Sequence, residues 1–257
     1  MNIKAIYRIT LMAAAVFLLT AAVSLFASET DDRIESAARG SYVFKVYLKD
    51  DDISVRSSDG VVTLKGSVSE ESHRSLAEET VTGLPGVKGV DNRLEVKGER
   101  PARDSDAWLT AKVKSVLLFH RNVSAVKTGV RIKDGIVTLR GEASSEAQKE
   151  LTTEYVKDVE GVKDVRNEMT VTETQEKSSE TPGEKIDDVS ITVQVKMALL
   201  LHRSTSALKT KVETDNGVVK LEGMAKNPAE KDLVTKLVSD IHGVRKVQNR
   251  MTVEGDR

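Results

Sequence analysis

Apolar and polar residues follow two periods along this 257-residue chain, and the two periods succeed one another in a fixed order. The clearest helical stretch carries apolar residues at i, i+4, i+7 and i+8: Leu109, Val113, Val116 and Leu117. This spacing predicts an amphipathic helix. Next come two β-rich runs joined by Asp134-Gly135, a dipeptide typical of tight hairpin turns. A second amphipathic stretch and an alternating strand follow, which gives the order α-β-β-α-β.

This order occurs three times, and four residue positions mark each copy. The steps between them are 6, 20 and 6 residues, and the set shifts by 75 and then by 82 residues: Gly60, Gly66, Gly86, Asn92; Gly135, Gly141, Gly161, Asn167; Gly217, Gly223, Gly243, Asn249. A fixed period of this length indicates one small domain in tandem copies. We predict an α+β fold of three α-β-β-α-β domains, each with two helices on one face of a three-stranded mixed sheet.

The predicted boundaries are 31–98 for repeat one, 104–173 for repeat two and 186–255 for repeat three. A flexible linker is predicted at 174–185, where Glu, Ser and Thr surround Pro182-Gly183. The first helix of repeat one has the weakest pattern, with Ile34, Ala38, Ser41 and Tyr42 at the apolar positions. The repeated glycines are predicted to serve turns and close packing. The repeated asparagine is expected to be buried and hydrogen-bonded, most simply to the backbone of a neighbouring loop.

The N-terminus is typical of an export signal. Lys4 and Arg8 precede an apolar run over 9–26, and polar residues follow it. Residues 1–27 are predicted to be a signal peptide, and the sequence leaves open whether it is cleaved or retained as an inner-membrane anchor. Either outcome predicts a periplasmic protein.

Composition argues against several classes of function. The 39 basic and 40 acidic residues are in balance, whereas nucleic-acid-binding domains are usually strongly basic. The chain has no cysteine, so it can form no disulfide. His73, His120, His202 and His242 have no neighbouring ligands in sequence that would complete a metal site, and no carboxylate pair is predicted to be buried in all three copies. We expect no enzymatic activity, no cofactor, no metal and no small-molecule substrate.

The motifs Asp-Gly-Val-Val-Thr-Leu-x-Gly-x-Val at 59–68 and Gly-Val-x-x-Val-x-Asn-x-Leu-x-Val at 86–96 resemble those of the BON domain family (bacterial OsmY and nodulation). Both motifs recur in repeats two and three, so the resemblance covers nearly all of 31–255. It implies a periplasmic stress protein of a family associated with phospholipid surfaces and, for some members, with chaperone-like activity.

One set of apolar residues lies beside the core stripe of the first helices. In repeat two, Trp108 and Phe119 fall on one flank near Lys112, and Leu118 points to the opposite side. Repeat three carries Met197, Leu200 and Leu201 on its first helix. An aromatic pair beside a lysine is typical of contact with a membrane interface. These seven residues are therefore candidates for contact with an anionic phospholipid surface, and packing between repeats is the alternative.

The sequence thus predicts a non-enzymatic envelope protein that binds phospholipid and protects against envelope or osmotic stress. The alternatives are a periplasmic chaperone for unfolded envelope proteins and a protein-interaction scaffold, both without lipid binding.

Overall fold

The computed structural model describes residues 29–98, 102, 105–123, 125, 127–172, 186–205 and 210–254. The predicted export signal and the linker at 174–185 lie outside the described residues. Among those that are described, no helix is both long and apolar enough to cross a membrane.

Repeat one begins with helix α1 over residues 29–40, which is followed by a π-helical turn, Val43–Tyr47. Its remaining elements are β1 (Asp52–Ser58), β2 (Val61–Val68), α2 (Glu71–Thr82) and β3 (Gly89–Val96). The first helix therefore ends before Ser41 and Tyr42, which the apolar pattern had placed on it. The apolar pattern of the first helix is weak at Ser41 and Tyr42 because the chain there enters a turn that packs on repeat three.

Repeats two and three follow the same order. Repeat two consists of α3 (Asp106–Phe119), β4 (Thr128–Lys133), β5 (Ile136–Ala143), α4 (Glu146–Lys157), β6 (Asp164–Asn167) and β7 (Thr170–Val171). Repeat three consists of α5 (Asp188–Leu201), β8 (Thr210–Asp215), β9 (Val218–Ala225), α6 (Pro228–Ser239), β10 (Lys246–Asn249) and β11 (Thr252–Val253). The last strand, continuous in repeat one, is interrupted in the other two.

Each sheet has its second strand in the centre. β2 pairs antiparallel with β1 and parallel with β3, and the equivalent strands of the other repeats pair in the same way. Alternate residues of the central strands are fully buried beneath the helices: Val62, Leu64, Val137, Leu139, Val219 and Leu221. The α+β fold predicted from the sequence is confirmed, including the mixed sheet with helices on one face.

A carboxylate at the start of each first helix holds the hairpin that follows it. In repeat two, Asp106 accepts hydrogen bonds from the backbone N–H groups of Asp134 (2.7 Å) and Gly135 (2.9 Å). Asp31 and Asp188 bind the other two hairpins identically. Both turn residues have positive φ in all three copies, as a two-residue type I′ turn requires.

A glycine inside each central strand is required by close backbone approach. At Gly141, φ is +125°, and an added Cβ would lie 1.9 Å from the Lys127 carbonyl oxygen. Gly66 has the same relation to Asp52, at 2.0 Å. The sequence predicted close packing for these glycines, and the neighbour is the backbone where the edge strand begins.

The repeated asparagine ties the last strand to the second helix. The side-chain amide of Asn167 donates to the Lys149 carbonyl (2.9 Å) and to Thr153 Oγ1 (2.7 Å), while its Oδ1 accepts from Met169 N–H (3.0 Å). Asn249 makes the equivalent bonds in repeat three. The asparagine is only half-buried, and its partners lie on a helix instead of a loop.

Candidate functional site: the flanks of α3 and α5 and the contact between repeats two and three

The flank of α3 that the sequence singled out is open at its beginning and closed at its end. Ser105 caps the helix, its Oγ accepting from Trp108 N–H at 3.2 Å. Trp108 is half-buried, and the Lys112 ammonium lies 4.2 Å above the centre of its ring. Lys112 also donates to the Glu160 carbonyl at 3.0 Å and to the Glu160 carboxylate at 3.3 Å. One turn later Ser115 is buried, and Phe119 is buried completely.

The equivalent flank of α5 is covered by repeat one over residues 187–194. Val43 N–H donates to Ser190 Oγ at 3.2 Å, and the Tyr47 hydroxyl donates to Gln194 Oε1 at 2.8 Å. Asp187, the N-cap of α5, also accepts from Tyr42 N–H at 2.8 Å. Because α5 is surrounded in this way, it is apolar on more than one side.

The structure divides the seven candidate residues into two groups. Phe119, Met197 and Leu201 are buried, and Phe119 meets Tyr47 of repeat one edge-on with ring centres 5.8 Å apart. These three fit the packing alternative and are not available to a membrane. Leu200 is 53% exposed, whereas Leu118 is partly buried beside a cleft of about 260 Å³ that His73 also lines. Trp108 and Lys112 keep part of their surface in solvent.

Repeats two and three meet through a reciprocal backbone contact. Arg121 N–H, just after α3, donates to the Asp240 carbonyl (2.9 Å), and His242 N–H donates back to Phe119 (3.1 Å). A shift of 82 residues gives the mirror contact, in which Arg203 N–H donates to the Asp158 carbonyl (2.8 Å) and Glu160 N–H to Leu201 (3.3 Å). Each repeat thus presents the same surface to the other, as in a two-fold dimer.

An arginine from each repeat caps the second helix of the other. One terminal nitrogen of Arg121 donates to the carbonyls of Ser239 (3.0 Å), Ile241 (2.7 Å) and Val244 (2.6 Å). Arg203 reaches the equivalent carbonyls of Lys157 and Val162. A cation at a helix C-terminus satisfies free carbonyls and complements the helix dipole.

Two histidines meet at the centre of this interface. His120 and His202 are 0% and 1% exposed, and their Nε2 atoms are 3.2 Å apart. His202 Nδ1 lies 3.0 Å from Asp158 Oδ2, while His120 stacks on Tyr155 with ring centres 3.9 Å apart. The Tyr155 hydroxyl donates to Asp240 Oδ2 at 2.7 Å.

Comparison with known proteins agrees with this architecture. The BON domain pattern matches residues 30–98, 105–173 and 187–255. The chain belongs to the BON domain family. It is 33% identical over 144 residues to osmotically-inducible protein Y of Escherichia coli (strain K12), a match that covers 56% of this chain and 70% of that protein. An uncharacterized Anaplasma centrale protein is 31% identical over 116 residues, which are 44% of this chain and 77% of the relative.

Among solved structures, this BON protein is matched by CdsD, a structural protein of the Type III secretion system of Chlamydia trachomatis. The identity is 17% and the TM-score 0.24, with 86% of this chain and 90% of the other covered. A second structure, of the CdsD C-terminal domain, gives 16% and 0.23, with 86% and 95% covered. These TM-scores are too low to support a statement about function.

Burial controls the titration of the groups between BON repeats two and three. Burial lowers the pKa of His120, and the Asp240 carboxylate opposes this only in part. Burial also raises the pKa of Tyr155, and its hydrogen bond to Asp240 adds to the effect. For Asp158, burial alone would raise the pKa, but hydrogen bonds from His202 and Ser204 bring it below its ordinary value. Tyr155 and Asp158 are therefore expected to be a neutral phenol and a carboxylate at neutral pH.

The sequence itself indicates this interface, through residues that repeats two and three share and repeat one lacks. His120-Arg121 recurs as His202-Arg203, whereas repeat one has Lys45-Val46 at the equivalent positions. Asp158 likewise recurs as Asp240, and repeat one has Gly83. The two repeats that share these residues are the two that meet through them. In the described part of the chain, no cluster of three or more His, Asp or Glu side chains could hold a metal ion.

Proposed function

We propose that this BON protein is a non-enzymatic, exported component of the osmotic stress response that binds phospholipid surfaces through the open flank of α3. The similarity to osmotically-inducible protein Y supports the link to osmotic stress. The apolar run over 9–26 supports export to the periplasm. The proposed contact with phospholipid is supported by a comparison of the equivalent helices α3 and α5.

The observation that carries the proposal is the unequal covering of α3 and α5. Ser190 and Gln194 of α5 are fully buried under repeat one. At the same positions of α3, Trp108 is only half-buried and the Lys112 side chain is 11% exposed. The uncovered position holds the only tryptophan of the chain. A partly exposed indole ring beside a lysine suits the boundary between lipid headgroups and acyl chains.

Charge contributes less to this contact than the sequence suggested. Lys112 is already bound to Glu160, so it brings little net positive charge to the surface. We expect binding to depend mainly on insertion of Trp108 and only moderately on anionic lipid and salt. This distinguishes the site from a polybasic patch, whose binding is lost in moderate salt.

Exposed apolar surface is too scattered to favour the chaperone alternative. In the described part of the chain, the large apolar side chains that are well exposed are Val61, Leu200 and Met224, which belong to three different elements. Holding unfolded clients usually requires a contiguous apolar patch. The membrane proposal is therefore the better supported of the two.

The test is flotation of the protein lacking residues 1–27 with anionic and with neutral liposomes. We expect the parent protein to float and its Trp108 fluorescence to shift to the blue. Trp108→Ala should bind liposomes at least about tenfold more weakly than the parent, since burial of a large apolar side chain contributes about 1.5–3 kcal/mol. The matched control is Val61→Ser, which removes an exposed apolar side chain from repeat one and should bind like the parent.

Flotation of Trp108→Ala at the parent's level would contradict the site. If the parent floats with no lipid, the membrane function itself fails, and suppression of aggregation of a denatured protein would then support the chaperone.

A further inference from the structure

The contact between His120 and His202 requires a specific distribution of protons. The two Nε2 atoms are 3.2 Å apart, so one must donate and the other must accept. His202 Nδ1 faces the Asp158 carboxylate, which only accepts, so the hydrogen of His202 lies on Nδ1. His202 Nε2 is then the acceptor, and His120 Nε2 is the donor.

This assignment leaves His120 Nδ1 without a hydrogen. The atom is buried, has no hydrogen-bond partner, and lies 3.2 Å from Asp240 Oδ2. Asp240 is occupied by the hydroxyl of Tyr155 and the side-chain amide of Asn122. The docked pair can therefore accept one extra proton at His120 Nδ1. It cannot accept two, because a hydrogen on each Nε2 would make the 3.2 Å contact repulsive.

The remaining charged and titratable groups near the pair do not remove this limit. On the α4 side they are Tyr155 and Asp158, and Arg203 Nε is 3.8 Å from Asp158 Oδ1. On the α6 side they are Asp240 and His242. Burial and the charge of Arg121 lower the pKa of His242, so it too takes up a proton less readily when the repeats are docked.

We propose that the His120–His202 pair makes the docking of repeats two and three sensitive to acid, so that the repeats separate as the pH falls below neutral. Separated histidines can each take up a proton, whereas the docked pair takes up one at most. Acid therefore favours the separated state.

The sign and the range follow from proton linkage. His120 is neutral above its ordinary pKa of 6.5, so docking is strongest there. The separated state binds more protons as the pH falls below 6.5, and docking weakens because burial lowers the pKa of His120. The Asp158 carboxylate, whose ordinary pKa is 3.8, stays ionised through most of this range. The equilibrium constant for separation of the two repeats should rise by up to about tenfold for each unit that the pH falls, for each proton taken up on separation.

The test uses energy transfer between two dyes in the full chain. The protein has no cysteine, so Glu142→Cys and Met224→Cys, at equivalent exposed positions of β5 and β9, give one label in each repeat. We expect transfer to fall reversibly from about pH 7.5 to about pH 4.5, on either side of the ordinary histidine pKa. The double variant His120→Gln/His202→Gln should lose most of this acid response, and His242 accounts for the small remainder. His73→Gln, in repeat one, should respond to acid like the parent.

Constant transfer in the parent over this range would overturn the proposal, as would an unchanged acid response in the double variant. Loss of the response in His73→Gln would also overturn it.

If the repeats of the double variant are already separated at about pH 7.5, amide hydrogen exchange of the parent tests the proposal instead. The Arg121 and Arg203 amides, which donate across the interface, should lose protection at a higher pH than the Lys163 amide, which donates within repeat two to Gly135. Simultaneous loss of all three, after correction for intrinsic exchange, would indicate global unfolding and would refute the proposal.

Discussion

Single residues set the geometry of each repeat where the backbone leaves no space for a side chain. Gly66, Gly141 and Gly223 all have φ between +119° and +140° and lie within the central strands. At the first two, a Cβ would overlap a backbone carbonyl oxygen where the edge strand begins. Their recurrence at fixed spacing is therefore a consequence of sterics and carries no information about a ligand.

We predict that Gly141→Ala destabilises repeat two by about 2–4 kcal/mol, because it combines backbone strain with overlap at 1.9 Å. Gly129→Ala is the matched control on the neighbouring strand, where a Cβ would make an ordinary contact of 3.5 Å. It should change stability by less than about 1 kcal/mol. Denaturant unfolding of both variants measures the difference, and equal effects would refute the steric explanation.

At the scale of elements, the N-cap residues of the helices differ in how many hydrogen bonds they accept. Ser145 caps α4 through one bond, accepting from Gln148 N–H at 3.1 Å. Asp187 caps α5 by accepting from Ser190 N–H at 2.9 Å, and it also binds Ser190 Oγ and Tyr42 N–H. The cap of α5 is thus also a contact between repeats one and three.

We expect Asp187→Ala to lower the free energy of unfolding by about 2–3 kcal/mol, since a cap and a bond to repeat one are lost together. Ser145→Ala removes a cap alone and should cost about 1 kcal/mol. Hydrogen exchange should show increased exposure of the Tyr42 amide only in Asp187→Ala. If the two variants lose the same stability and protection, the link through Asp187 contributes nothing.

At the scale of the whole molecule, the repeats are joined by their helices. Repeat one covers α5, Phe119 of repeat two meets Tyr47 of repeat one, and Arg121 and Arg203 cap each other's repeats. The sheets keep their opposite faces largely polar and exposed. Small domains of this size gain stability when neighbours bury part of their surface.

We predict that repeats two and three unfold in one calorimetric transition, and that Arg121→Ala/Arg203→Ala divides it into two. The reason is that both arginines satisfy helix carbonyls of the other repeat. Arg140→Ala, which removes only an exposed ion pair with Glu168, should keep the single transition. A single transition in the double variant, at the parent's temperature, would show that the arginines do not couple the repeats.

The sequence by itself determined the content of each repeat. Periodicity, Asp-Gly turns and the repeated glycines depend on local backbone geometry, so they predicted the helices, hairpins and mixed sheet without knowledge of distant neighbours. The candidate flank was also named from the sequence, because apolar groups beside a core stripe are visible there, and its role stays a prediction.

Only the tertiary structure decided what these groups contact. The sequence does not distinguish an apolar residue such as Phe119 that faces lipid from one that faces another repeat, because removal of apolar surface from water is favourable in both environments. The choice depended on repeat one, whose Tyr47 reaches Phe119 from 72 positions earlier in the chain. His120 and His202 likewise meet across 82 residues. Their proximity follows from how the three repeats pack, which no local pattern specifies.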